Sequence, residues 1–142
     1  METGNKHSPI VQAIQKAESG TKGEIRVHIS RRFFESNALK RCEKLFYKLK
    51  MHHSPERNGV LLYINTRRKK LAIFGDIRIH EKIGENFWVE IIQSLRSDLQ
   101  NTDQEQAISQ AVLRMGEVLK KYFPLDENQI HKNQLDNEVT TD

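Results

Sequence analysis

The carboxylates Glu24, Glu56 and Asp76, with the adjacent histidines His52 and His53, are the residues of this chain whose types best suit chemistry. Carboxylates and imidazoles ligate divalent cations, and two such groups converging in one cleft can work as an acid/base pair. None of the five falls at the spacing of a known metal motif, so any site must be assembled by the fold. Asp76 is the candidate for a catalytic role, and Asp76 with Glu24 for a divalent metal. Asp76 suits a ligand or an electrostatic role better than that of a general acid. The same stretch also reads as turn and strand-boundary chemistry, through Asn58-Gly59 and Gly75-Asp76.

A second set is cationic. Arg31, Arg32, Arg67, Arg68, Lys69 and Lys70 fall in two short runs that can hold a phosphate or an acidic surface. Two solvated turns that keep a hairpin from aggregating would carry the same residues. There is no glycine-rich phosphate loop and no G-x-G-x-x-G. Ser30 has no His and Asp pattern around it, so no nucleophilic triad is read. His28 alternates onto the polar face of its strand and is read as packed beneath a helix. Cys42 is the only cysteine and lies on an apolar helical stripe, as a buried structural thiol would. Aromatic residues are 7%, and Phe87 and Trp88 read as core anchors, which argues against a nucleic-acid interface.

These residues need elements to hold them. Ser8 and Pro9 open a first helix with Ile10, Ile14 and Ala17 on one face. Glu24 to Ser30 alternates as a strand, with Ile25, Val27 and Ile29 on one side. Ser36 is the expected cap of a second helix bearing Leu39, Cys42, Leu45, Phe46 and Leu49. Val60 to Ile64 and Leu71 to Phe74 are short apolar runs, joined by a polar link too short for a crossover. They are predicted to form an antiparallel hairpin. Two helices follow, with stripes Phe87 to Leu99 and Ala107 to Tyr122, divided by a capping box at Thr102 and Glu105. Gly116 inside the last helix predicts a close backbone approach.

The order helix, strand, helix, strand, strand, helix, helix predicts a small mixed sheet flanked by helices on both faces, an α/β/α sandwich. Residues 8–124 form the domain, and 125–142 a polar, loosely docked C-terminal tail. If the first two strands run parallel, one end of the sheet collects Gly23, Glu24, Arg57, Asn58 and Asp76, and the other collects Ser30 and the six cations.

Composition sets the bounds. In 142 residues, 37% are hydrophobic and 30% charged, enough for one core. The net charge of +4 permits an anionic partner without demanding one. No apolar run approaches the roughly 20 residues of a membrane span, and Met1 to Ile10 has no leader-like apolar segment. The expected location is the cytoplasm.

Taken together, several stretches resemble the TPM domain family. They are IQKAESGTKGEIRVHI at 14–29, RNGVLLYI at 57–64, LAIFGD at 71–76, Phe87-Trp88, Gly116-Glu117, Tyr122-Phe123-Pro124 and NQL at 133–135, in the family's order. Arg78 departs from the pattern, standing where it has a glycine. The resemblance implies an α/β/α sandwich and two functions. One is an interaction or accessory module of a membrane-envelope complex, with a membrane protein of the LemA type as partner. The alternative is a weak acid phosphatase, with a divalent metal as its candidate cofactor, since some members are described as acid phosphatases or metal binders. The chain resembles the short, soluble bacterial form without signal or anchor.

Overall fold

A computed structural model describes residues 8–126 and 139–142. Its elements are α1 (Pro9–Glu18), β1 (Glu24–Ser30), α2 (Ala38–Lys48), β2 (Gly59–Asn65), β3 (Lys70–Gly75), α3 (Ile77–Ile83), α4 (Asn86–Asn101), α5 (Gln104–Tyr122) and β4 (Val139–Thr141). A single 3-10 turn, Met51–His53, follows α2.

The four strands form one mixed sheet in the order β3-β2-β1-β4. β1 and β2 are parallel, with Glu24 opposite Gly59 and Ser30 opposite Asn65. β2 and β3 form the antiparallel hairpin, with Val60 opposite Gly75 and Asn65 opposite Lys70. Alternation along β2 divides the molecule in two. Val60, Leu62 and Ile64 face a core completed by α1, α4 and α5. Leu61 and Tyr63 face a smaller one completed by Cys42, Leu45 and Phe46 of α2. Both faces of the sheet are covered, which is why every residue of β2 is buried.

Ser8 caps α1 as the sequence predicts, its Oγ accepting from Ile10 N at 3.2 Å. The other two caps sit one residue later than expected. Asn37 rather than Ser36 caps α2, accepting from Lys40 N at 3.0 Å. Asp103 rather than Thr102 caps α5, accepting from Gln106 N at 2.9 Å. Thr102 instead closes α4, its hydroxyl donating to Asp98 O at 2.9 Å. A carboxylate or amide oxygen competes well with a hydroxyl for the same task.

Gly116 meets the predicted close approach. A Cβ there would lie 2.5 Å from Ala17 Cβ and 2.8 Å from Ala17 Cα, so α1 and α5 touch backbone to backbone. Thr21 locks the end of α5 to the start of the sheet by donating to Phe123 O at 2.6 Å.

Three elements are absent from the sequence reading: the 3-10 turn, α3 and β4. β4 runs parallel to β1, placing Val139 beside Val27 and Thr140 beside His28. Val139 is buried in the main core. Most of the tail expected to be loosely docked, residues 127–138 with the Asn133 to Leu135 match, lies outside the described residues.

Candidate functional site

The register of β1, β2 and β3 brings Glu24, Arg57, Asn58 and Asp76 to one end of the sheet, as the sequence reading supposes. Asp76 follows Gly75 at the end of β3, and its N–H donates to Gly59 O at 2.9 Å. Its carboxylate is 1% exposed. It accepts a fork from Arg57, Nε at 2.7 Å and Nη2 at 2.8 Å. It also caps α3 by accepting from Ile77 N at 2.8 Å. The hydrogen bonds to Asp76 hold the Arg57 guanidinium above its ordinary pKa.

Asp76 is therefore already engaged by three N–H groups of the protein. Neighbouring polar groups are engaged too. Asn58 Nδ2 donates to Lys22 O at 2.9 Å, and Ser54 Oγ lies 3.0 Å from Asn58 Oδ1. Glu24 is buried at the same edge, its N–H bonded to Asn58 O. His52 and His53 stack edge to face at 4.5 Å on their own turn. Among the described residues, no three of the His, Cys, Asp and Glu side chains gather as a metal cage.

The opposite end is arranged differently. Ser30 ends β1 opposite Asn65, and residues 66–69 form the hairpin turn, so the two basic runs share this edge. Backbone and buried groups hold the loops together. Thr66 N donates to Ser30 O, Asn65 Nδ2 donates to Arg32 O at 3.1 Å and to Glu35 Oε1 at 3.0 Å, and Asn65 Oδ1 accepts from Arg68 N at 3.0 Å. Tyr63 OH donates to the same Glu35 carboxylate. Burial, followed by that bond, raises the Tyr63 phenol above its ordinary pKa. Lys70 is half-buried and its ammonium donates to Glu35 O at 2.8 Å.

Arg31, Arg32, Arg67, Arg68 and Lys69 are exposed, and among the described residues none of the five is ion-paired. Two aromatic side chains stand among them. Phe33 is 58% exposed and Phe34 is 83% exposed. The guanidinium carbons of Arg67 and Arg68 each lie 5.8 Å from the Phe33 ring centroid. The cations are among the residues expected from the sequence and the two phenylalanines are not, although Arg31-Arg32-Phe33-Phe34 sets an aromatic pair beside charge.

A further polar cluster joins β1 to β4. His28 Nδ1 lies 2.7 Å from Thr140 Oγ1, and its Nε2 lies 3.1 Å from Asp142 Oδ1. Arg41 reaches the other oxygen of Asp142. The imidazole stacks on Tyr63 at 5.7 Å and 7°. Burial lowers the His28 pKa, with Asp142 opposing it. Burial would raise the Asp142 carboxyl, but bonds from Ser30, His28 and Arg41 outweigh it and hold it below the usual range. His28, read as packed beneath a helix, is buried on the sheet face that α2 covers, beside Tyr63 and Thr140. Cys42 is buried, and burial drives its thiol pKa well up, as expected of an inert thiol.

The profile of the TPM domain matches residues 3–118 of the chain. The fold is similar to the NMR structure of the BA42 protein from the psychrophilic bacterium Bizionia argentinensis. The two are 29% identical, with a TM-score of 0.84 over 97% of this chain and 94% of that one. Comparison with curated proteins gives no match.

Proposed function

The chain belongs to the TPM domain family, and on that premise we propose that it is an interaction module that docks on an anionic surface of a membrane-envelope complex. The observation that carries this reading is the contrast in availability. Five exposed cations without ion-pair partners among the described residues sit on two tied loops, whereas the Asp76 carboxylate is engaged by Arg57 and Ile77. Holding the loops in place lowers the ordering cost of binding. Among the described residues no helix is long and apolar enough to cross a membrane; the module is proposed to act from the cytoplasm. A LemA-type membrane protein is the partner class that the family resemblance brings forward.

The test is sedimentation with native membranes at low and high salt. Wild type pellets at low salt and is released at high salt, and Arg67→Glu/Arg68→Glu stays in the supernatant. Wild type that stays soluble at low salt ends this reading.

The second reading is a weak acid phosphatase, metal-dependent. It is favoured by the parallel register that carries Glu24 to the edge where Asp76 lies. In a hydrolase of that kind a metal cation would compete with the Arg57 guanidinium, which already holds the Asp76 carboxylate. Phosphate-ester turnover that responds to magnesium, manganese, calcium or zinc and disappears in Asp76→Asn would support it. Absence of turnover with all four, and of any thermal shift on adding them, would leave the module reading alone.

A further inference from the structure

Charge alone does not explain the exposed end, because a purely electrostatic surface has no use for Phe33 and Phe34. Their rings contact each other edge to face at 5.2 Å, and most of both remains in water. Leaving such surface exposed forgoes the stabilisation that burial of a phenylalanine brings. Polar neighbours hold the segment in place: Arg32 N on Ser30 Oγ at 3.2 Å, and Arg32 O on Asn65 Nδ2 at 3.1 Å. An aromatic tip, with Arg67 and Arg68 beside Phe33 and with Arg31, Arg32 and Lys69 exposed on the same two loops, is thus presented on a fixed edge.

We infer that this tip binds the headgroup region of an anionic bilayer directly, with Phe33 and Phe34 entering the interface and the cations meeting lipid phosphates. The inference rests on the module reading above and names the surface it uses. Two features favour lipid over an acidic protein. A protein partner would need a socket shaped for two adjacent rings, whereas a bilayer interface accepts exposed apolar side chains without one. Two of the cations, Arg67 and Arg68, also lie beside the Phe33 ring, so both terms act together there: apolar burial and attraction to anionic lipid, the latter about fivefold in affinity per basic residue. Arg67 and Arg68 flank Phe33, so they reach the phosphates as the ring enters.

The experiment is vesicle flotation with the full chain. Protein-free vesicles of phosphatidylcholine are compared with vesicles of phosphatidylcholine and phosphatidylglycerol, and soluble polyglutamate serves as a separate anionic probe. Wild type floats with the anionic vesicles only, and the binding falls with salt. Phe33→Ser/Phe34→Ser loses about tenfold or more in vesicle affinity but keeps its polyglutamate affinity and its melting temperature. Arg67→Glu/Arg68→Glu loses both. Wild type that binds polyglutamate or native membranes but not anionic vesicles overturns the lipid inference and leaves the module reading standing. Wild type that binds none of them overturns both. Vesicle binding unchanged in the phenylalanine variant overturns the role of the aromatic tip.

Discussion

Asp76 closes one end of the β2–β3 hairpin, and Arg67 and Arg68 turn the other, yet only Asp76 is satisfied inside the fold. At the Asp76 end, a buried carboxylate organises its surroundings: it fixes the Arg57 side chain and starts α3. At the arginine end, backbone and amide groups do the organising, and the charges are left to solvent. Residue type alone does not separate the two cases. What separates them is burial, since a buried charge must be paired and an exposed one need not be.

The comparison predicts that substitutions at the two ends differ in kind. Asp76→Ala is expected to give the largest stability loss, about 3 kcal/mol, from the lost helix cap and the lost charge-assisted fork to Arg57. Urea unfolding measures it, and an unchanged midpoint would mean that Asp76 is not the organiser of its end. Gly75→Ala comes next. A Cβ there would lie 2.5 Å from Ile79 Cγ2 and 2.9 Å from Ile79 Cβ, and Ile79 is fully buried. Overpacking of this kind costs about 2 kcal/mol, read as a lowered midpoint with native circular dichroism.

The third prediction concerns His28, which lies towards the cationic end yet is satisfied internally. Its folded pKa is depressed below the ordinary 6.5 by burial. A depressed histidine contributes stability that is complete above the unfolded value and is lost as pH falls through the folded one. The urea midpoint of wild type should therefore fall as pH drops below about 6.5, by at most about 1.4 kcal/mol of stability per pH unit. Asp142, depressed below 3.8, contributes loss only at more acid pH. In His28→Gln the profile across that window should be flat, and a slope equal to wild type would assign the titration elsewhere. The smallest effect belongs to the exposed arginines. Arg67→Glu/Arg68→Glu should change stability by less than about 0.5 kcal/mol, so its loss of binding reads as a surface effect.

The hairpin was legible because it follows from local patterns: apolar runs, alternation and a short link. The clustering at both sheet ends followed only on the supposition that β1 and β2 run parallel, which their register bears out. The short elements were not legible. α3 depends on a cap that also reads as a metal ligand, and its seven residues carry too few turns for a clear stripe. β4 is three residues in a polar stretch, and it becomes a strand only because β1 offers it an edge. The His28 cluster is hidden for the same reason, since Thr140 lies 112 residues along the chain. The exposure of Phe33 and Phe34 was also beyond the pattern, because a phenylalanine pair reads equally well as core.

The pairing of β1 with β4 has a consequence for the order in which the molecule is completed. β1 can pair with β2 once residue 65 has been made, but its second edge waits for residues 139–141. At about 5–20 residues per second, that interval is on the order of ten seconds. During it the growing chain carries Ile25, Val27 and Ile29 on a strand with one open edge, the geometry that recruits a neighbouring chain. Ribosomes translating the same message in file hold several such edges close together. A chain halted before residue 139 keeps its edge open and is the form most prone to pair with a second copy.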